Sequence, residues 1–269
     1  MAYFMEDMTV RDFKQALENV KTVIIPVGCV EQHGYHLPLS VDMINAAEVP
    51  RRAGDRLRAV VAPTVFYSFS GGELPGTVNV SPQVFSLYIT DICCEFVRMG
   101  FKNIVVFLGH SGTENTESIK SCLQTHMRRN PQYSKINFSV LELWKLSPTW
   151  VEIFTGGGPE YDYHAGQVET SLMMYWRPEL VQPDIVMDTP YLSKMMRTDP
   201  DWYAESKKII DHEYIIPNVR QRGEIEIGVM GFPEKATAGL GKIVSDEMAE
   251  GLMAYIDMLE NNELNEGEI

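Results

Sequence analysis

The chain has 269 residues, 45% of them hydrophobic, enough to bury a full core without disulfide or metal staples. Lys and Arg number 23 against 37 Asp and Glu, and the resulting net charge of −14 repels nucleic acid and anionic membrane surfaces. The four cysteines, Cys29, Cys93, Cys94 and Cys122, match neither a zinc knuckle nor a disulfide framework, and no apolar run reaches signal-peptide or membrane-span length, so a soluble, unprocessed protein in a reducing cytoplasm is expected.

In chain order, "TVIIPVG" (22–28) reads as a buried strand: it is rich in β-branched residues and ends in Gly. The stretch after it, "EQHGYHLPLSVDM", carries Glu31, His33, His36 and Asp42. Glu31 and His33 stand at i and i+2, so in an extended segment both project from one side. Asp42 follows the turn-forming "LPLS", which lets the chain double back. Two carboxylates and an imidazole suit Zn or Mn, and a carboxylate can bridge two ions. The spacing alone also permits a plainer reading, in which Asp42 caps the helix starting near Met43 and His33 and His36 are loop residues.

"MINAAEVPRRAGDRL" follows with helix-like apolar spacing interrupted by Pro50. "RAVVAPTVF" (58–66) is a second strand, and "SPQVFSLYITDICCEFVRMGF" a helix with Ser81 as N-cap and Pro82 at N1. "NIVVFLG" (103–109) is a third strand and delivers His110 just past its end, in "GHSGTENTES". The plain reading there is a Gly-rich turn entering a helix capped by Thr113 or Asn115. A phosphate-cradling loop is excluded because no Lys stands where one needs it. "INFSVLELW" (136–144) is a fourth strand, and "DYHAGQVETS" places His164 on a loop and Glu169 in the first turn of the next helix.

A last helix, 237–261, precedes the acidic tail "LENNELNEGEI", which reads as a solvated or frayed end. Methionines, Met195 and Met196 included, read as core or interface filling. Arg220 and Arg222 in "NVRQRGEIEIG" are an interface or a substrate contact. Strands alternating with helices imply one α/β domain, 1–269, with a mainly parallel sheet covered on both faces and a ligand site at the carboxyl ends of its strands.

With these clusters in view, the sequence resembles the creatininase (creatinine amidohydrolase) family. "PVGCVEQHGYHLPLSVD" is similar to its first metal motif, "GHSGTEN" to its second and "HAGQVETS" to its third; "LPGTVNVS" and "GVMGFPEKATAGLGK" resemble its substrate loop and closing segment. The resemblance implies a three-layer, Rossmann-like α/β/α fold, a homohexamer, and two divalent ions, Zn or Mn. Glu31, Asp42 and His110 would hold one ion, and His33 and Asp42 the other. In creatininase the last ligand is a Glu two residues after the second-motif His. That position is Gly112 here, which leaves Glu169, or else Glu114, as the candidate. His164 and Glu169 are the expected acid/base groups, and Ser70, Glu73, Glu114 and Asn115 the expected substrate contacts. The Trp that creatininase sets four residues before the third-motif His is Glu160 here.

Three functions follow as expectations. The first is metal-dependent hydrolysis of a small cyclic amide at its C–N bond. The second is carbon–carbon ring opening of an oxidised cyclitol, as in the 3-dehydro-scyllo-inosose hydrolase branch. The third is a metal-stabilised binding or assembly protein without turnover.

Overall fold

The computed structural model describes residues 3–156 and 158–262. In chain order the strands are β1 (Tyr3–Phe4), β2 (Thr22–Val27), β3 (Val60–Val61), β4 (Asn103–Leu108), β5 (Asn137–Glu142), β6 (Ala204–Lys207) and β7 (Asn218–Gln221). The helices are α1 (Val10–Asn19), α2 (Val41–Ala53), α3 (Pro82–Met99), α4 (Thr113–Arg129), α5 (Pro148–Thr155), α6 (Gln167–Trp176), α7 (Pro190–Thr198) and α8 (Ala238–Asn261).

Five strands form a parallel sheet in the order β1-β3-β2-β4-β5, and β6 and β7 form a separate antiparallel hairpin. All six residues of β2 and of β4 are buried, as expected for central strands covered on both faces. Their side chains divide by the period of two. Ile24, Val105 and Phe107 pack with α2, α6 and α8, while Val23, Ile25, Val27, Ile104, Val106 and Leu108 pack with α1, α3 and α4. The result is the expected three-layer α/β/α arrangement.

Three local expectations change. The strand expected at 58–66 is regular only at Val60–Val61. Pro26 of β2 accepts a hydrogen bond from Val65 N at 2.9 Å, so its missing N–H faces the same edge and removes a rung from that ladder. Pro50 does not interrupt α2. It lies in the last turn, which closes through Gly54 N donating to the Pro50 carbonyl. The acidic tail begins inside α8: Leu259 and Glu260 are buried, and Glu260 Oε1 accepts hydrogen bonds from Lys21 N (2.8 Å) and Thr22 Oγ1 (2.5 Å), pinning α8 to the start of β2. The rest of the tail, 263–269, lies outside the described residues. The hairpin was not foreseen, because β6 and β7 are polar and half-exposed and carry little apolar alternation.

Candidate metal centre

The site forms where β2 and β4 end side by side, Val27 being in register with Leu108. Each strand is followed by a glycine that is needed for space. A Cβ on Gly28 would stand 2.6 Å from Met43 Cα, and one on Gly109 would stand 2.1 Å from the Asp42 carbonyl oxygen. Both glycines let the first turn of α2 settle on the strand ends, and Asp42 is the second residue of that helix. Its N-cap is Ser40, so Asp42 is not spent on capping and its carboxyl is free to point into the site.

The Asp42 carboxylate divides its oxygens. Oδ2 lies 3.4 Å from His110 Nδ1, which is also 3.0 Å from Glu31 Oε2. Oδ1 lies 3.6 Å from His33 Nε2, which is also 3.7 Å from Glu169 Oε2. Asp42 thus faces Glu31 and His110 with one oxygen and His33 and Glu169 with the other, and His33, Asp42 and Glu169 lie close enough together to hold an ion. Around them the supporting bonds are short and directional. Ser70 Oγ donates to Glu31 Oε1 at 2.6 Å, Ala165 N donates to Glu169 Oε2 at 2.6 Å, and His33 Nδ1 lies 3.1 Å from the Glu31 carbonyl oxygen, which turns Nε2 toward the cluster.

The electrostatics match a cation site. At Glu31, His33 and His110 burial opposes the charge, yet neighbouring groups of opposite sign outweigh it. His110, by its charge and a hydrogen bond, holds the Glu31 carboxyl well below its ordinary value, Asp42 and Glu169 push His33 up to about 9, and Glu31 and Asp42 raise His110 well above its usual range. Glu169 is pushed up to about 7, chiefly by burial. Glu31 Oε2, His33 Nε2 and Asp42 Oδ2 are buried with no hydrogen-bond partner among the described residues. Buried polar atoms are seldom left so, and three of them converging from oxygen and nitrogen donors fit a divalent ion such as Zn or Mn.

His164 stands beside this cluster, its ring centroid 4.2 Å from that of His33 and its Nδ1 3.9 Å from Glu31 Oε1. Its Nε2 lies 2.7 Å from the Gln32 backbone carbonyl oxygen and 3.2 Å from the Gln32 side-chain Nε2, and the shorter contact, to a group that can only accept, favours the tautomer with the hydrogen on Nε2 and a lone pair on Nδ1. Burial holds this imidazole neutral, pushing it down to about 4. The loop that presents it is fixed by Asp162, whose carboxylate accepts from Gln167 N, Val168 N and Phe232 N and so satisfies the start of α6. Among the non-glycine residues described, Ala165 alone adopts positive φ, at 54°.

A cleft of about 370 Å³ opens over the cluster. Glu31, Asp42, His110, His164, Glu169, Ser70 and Glu114 line it. Two of the expected substrate contacts are placed elsewhere. Asn115 is fully buried below the cleft, donating to Phe69 O (2.8 Å) and Ser68 Oγ while accepting from Phe69 N, so it pins the 68–70 loop. Glu73 is exposed and does not line the cleft; only its backbone N–H is engaged, by Gln221 Oε1. Glu114 lines the cleft, whereas Glu169 is the carboxylate that stands beside His33, with its Oε2 3.7 Å from His33 Nε2. Helix α4 is capped at Gly112, so neither Thr113 nor Asn115 is its cap. Glu160 pairs with Arg197 at 2.7 Å and is absent from the cleft wall, whereas Trp144 and Trp150 line it.

Sequence reasoning missed three groups. Tyr203 and Gln221 enter the cleft from the base of the β6–β7 hairpin, where Arg222 N donates to Tyr203 O. Burial, reinforced by the carboxylates of Glu114, Glu31 and Asp201, pushes the Tyr203 phenol up to about 12. Cys29 is fully buried against Glu31 and Asp42, and burial raises its thiol to about 11, which keeps it protonated.

Known proteins resemble this chain over most of its length. A family model described as creatinine amidohydrolase matches residues 6–256. The creatinine amidohydrolase of Pseudomonas putida is 28% identical over 204 residues, covering 70% of this chain and 76% of its own. The mycofactocin precursor peptide peptidase of Mycolicibacterium smegmatis is 29% identical over 254 residues (88% and 85%), and the 3-dehydro-scyllo-inosose hydrolase of Thermotoga maritima is 24% identical over 262 (96% and 81%). Among solved structures, a creatininase with Mn superposes with a TM-score of 0.73 and a mutant creatininase of Zn-Zn type with 0.71, each at 22% identity over 97% of this chain and 100% of the other. A match running from residue 6 to residue 256, on a fold shared with the solved creatininases, places this chain in the creatininase family of hydrolases.

Proposed function

We propose that this chain is a metal-dependent amidohydrolase that opens a small cyclic amide at its C–N bond. The observation that carries the reading is the division of Asp42, with one oxygen turned to Glu31 and His110 and the other to His33 and Glu169. Two divalent ions held by these sets, Zn or Mn as in the solved relatives, would supply an activated water and polarise the scissile carbonyl. His164 takes up the water's proton at Nδ1 and returns it to the leaving nitrogen, while its Nε2–H remains anchored on Gln32 O. Ser70 keeps Glu31 oriented through its bond to Oε1, and Glu169 is held by Ala165 N.

The names of two relatives, an amidohydrolase and a peptide peptidase, both denote cleavage of a C–N amide bond, and this supports the choice of bond. A second reading, carbon–carbon ring opening of an oxidised cyclitol, rests on the Thermotoga maritima relative, which aligns with 96% of the chain. The protein is further proposed to work as a homo-oligomer, a hexamer by family resemblance, and the exposed apolar side chains of Ile209, Ile210, Tyr214 and Ile216 support a covering partner.

The test is to offer Zn- or Mn-loaded protein creatinine-like lactams and keto-inositols side by side and to follow gain of one water by mass spectrometry. Hydration of a lactam is expected. Turnover of the keto-inositol alone replaces the first reading with the second. Asp42→Asn is expected to lose both ions, measured by elemental analysis, while keeping its circular dichroism spectrum; retention of both ions defeats the shared-ligand assignment.

A further inference from the structure

We propose that Cys29 is a further metal-binding residue, a sulfur donor to the ion facing Glu31 and Asp42, and that it makes this end of the site prefer Zn or Cd over Mn; this rests on the metal-centre reading and extends it to the choice of ion. The sulfur, one carboxylate oxygen of Glu31 and one of Asp42 lie within 4.8 Å of one another, close enough to hold a single ion. Both carboxylate residues are more than nine-tenths buried, at 7% and 1% exposure, and Glu31 Oε2 and Asp42 Oδ2 have no hydrogen-bond partner among the described residues. Cys29 itself is fully buried. It stands two residues before Glu31, on the other side of Val30, which forms an isolated β-bridge with Val78. In extended backbone, side chains at i and i+2 leave on the same side, so the thiol and the carboxylate are delivered together.

A buried cysteine is ordinarily a small apolar filler, and Cys93 shows that role in the apolar cluster with Phe85, Ile89 and Phe96. Cys29 belongs to none of the apolar clusters formed by the described residues. Its surroundings are polar and charged instead: Glu31, Asp42 and His110, with a hydrogen bond to Ser68. Ser68 Oγ accepts from Asn115 Nδ2 at 3.2 Å, which leaves its hydroxyl hydrogen for the sulfur. A donor placed on the sulfur favours the thiolate, and supports of this kind orient metal ligands. Without an ion the thiol keeps its proton. On coordination the metal–sulfur bond replaces the S–H bond and the proton leaves to solvent. A thiolate beside two carboxylates favours the thiophilic ions Zn, Co and Cd, whereas Mn, which prefers oxygen, gains little from it.

The experiment loads the metal-free full chain with Co(II), measures bound cobalt by elemental analysis and records the near-ultraviolet spectrum. A sulfur-to-cobalt charge-transfer band is expected in wild type and is expected to be absent from Cys29→Ser and Cys29→Ala. The double variant Cys94→Ser/Cys122→Ser removes the two half-buried thiols of α3 and α4 and should keep the band, which assigns it to Cys29 even if neither Cys29 variant folds. In competition for the site, the preference for Zn over Mn should fall by roughly tenfold or more in the Cys29 variants. Cobalt bound without the band, a band that survives both Cys29 substitutions or disappears from the double variant, or an unchanged preference for Zn overturns the proposal and leaves the metal centre standing. A chain that takes up no cobalt overturns the metal centre and this proposal together.

Discussion

His164 illustrates how much one backbone contact decides. An imidazole among carboxylates is ordinarily drawn to the protonated form, as His33 and His110 are. At His164 burial wins and the ring stays neutral, pushed down to about 4, while the shorter of its two Gln32 contacts, to the backbone carbonyl, favours the hydrogen on Nε2. A neutral ring with its lone pair facing the cluster is a proton acceptor at every pH near neutrality. His164→Gln should therefore lower the hydration rate by roughly 10²–10⁴, the usual worth of a general acid/base, with the metal content unchanged by elemental analysis. A variant that also sheds its ions would recast His164 as a ligand. The candidates in "EQH" and "GHSG" were readable in advance because each follows an apolar run, whereas "DYHAG" follows the Gly-rich "TGGGPEY" and stood out only through its motif. The roles of Glu114, Asn115 and Glu73 were not, because sequence spacing does not say which polar side chain of a loop turns inward and which braces the loop from below.

At the scale of elements, the site depends on how tightly α2 seats on the ends of β2 and β4. Gly109→Ala would drive a methyl group into the Asp42 carbonyl, which is backbone and cannot rotate away. Overpacking of this kind costs about 1–3 kcal/mol. The variant should show a lowered urea midpoint together with loss of bound metal, since relieving the clash moves Asp42. A stable variant with full metal content would show that α2 can shift without carrying its carboxylate along.

Helix α5 depends on a charge instead. Its N-terminal turn is held by Glu247 of α8, whose carboxylate accepts from Ser147 Oγ, Thr149 N and Thr149 Oγ1. Burial opposes the charge, but these hydrogen bonds outweigh it and lower the carboxyl below its ordinary value. A carboxylate with a depressed folded-state pKa stabilises the fold above its unfolded value of about 4.3, and that contribution disappears as pH falls through the folded value. Wild type should therefore exceed Glu247→Gln in urea midpoint at neutral pH, and the gap should close on acidification below about pH 4. A gap of constant size across that range would assign the effect to packing.

For the molecule as a whole, the cluster joins distant parts of the chain. Glu31, His33 and Asp42 come from the β2–α2 segment, His110 from the end of β4, and His164 and Glu169 from the approach to α6 and its first turn. An ion bound only by the folded arrangement stabilises it by an amount that rises with ion concentration. Thermal unfolding should accordingly shift upward with added Zn or Mn, by about 2.7 kcal/mol when the free ion reaches a hundred times its dissociation constant. Asp42→Asn should abolish the concentration dependence. An unchanged midpoint for wild type would mean that the ions bind the unfolded chain equally well or do not bind.

The parallel sheet, the helices on both faces and the placing of candidate ligands just past strand ends were all determined by local sequence. Each follows from apolar periodicity and from the residue just past each strand, and these act over a few neighbouring positions. Two features were decided only by the tertiary structure. The division of the Asp42 oxygens, with Glu169 rather than Glu114 beside His33, depends on where α2 and α6 cross the strand ends. The aromatic and acidic character of the cleft depends on a polar hairpin and on the segment around Trp144 and Phe154, elements far apart in sequence that meet only once the chain has folded. Periodicity records what a segment buries and not which distant side chain it will face.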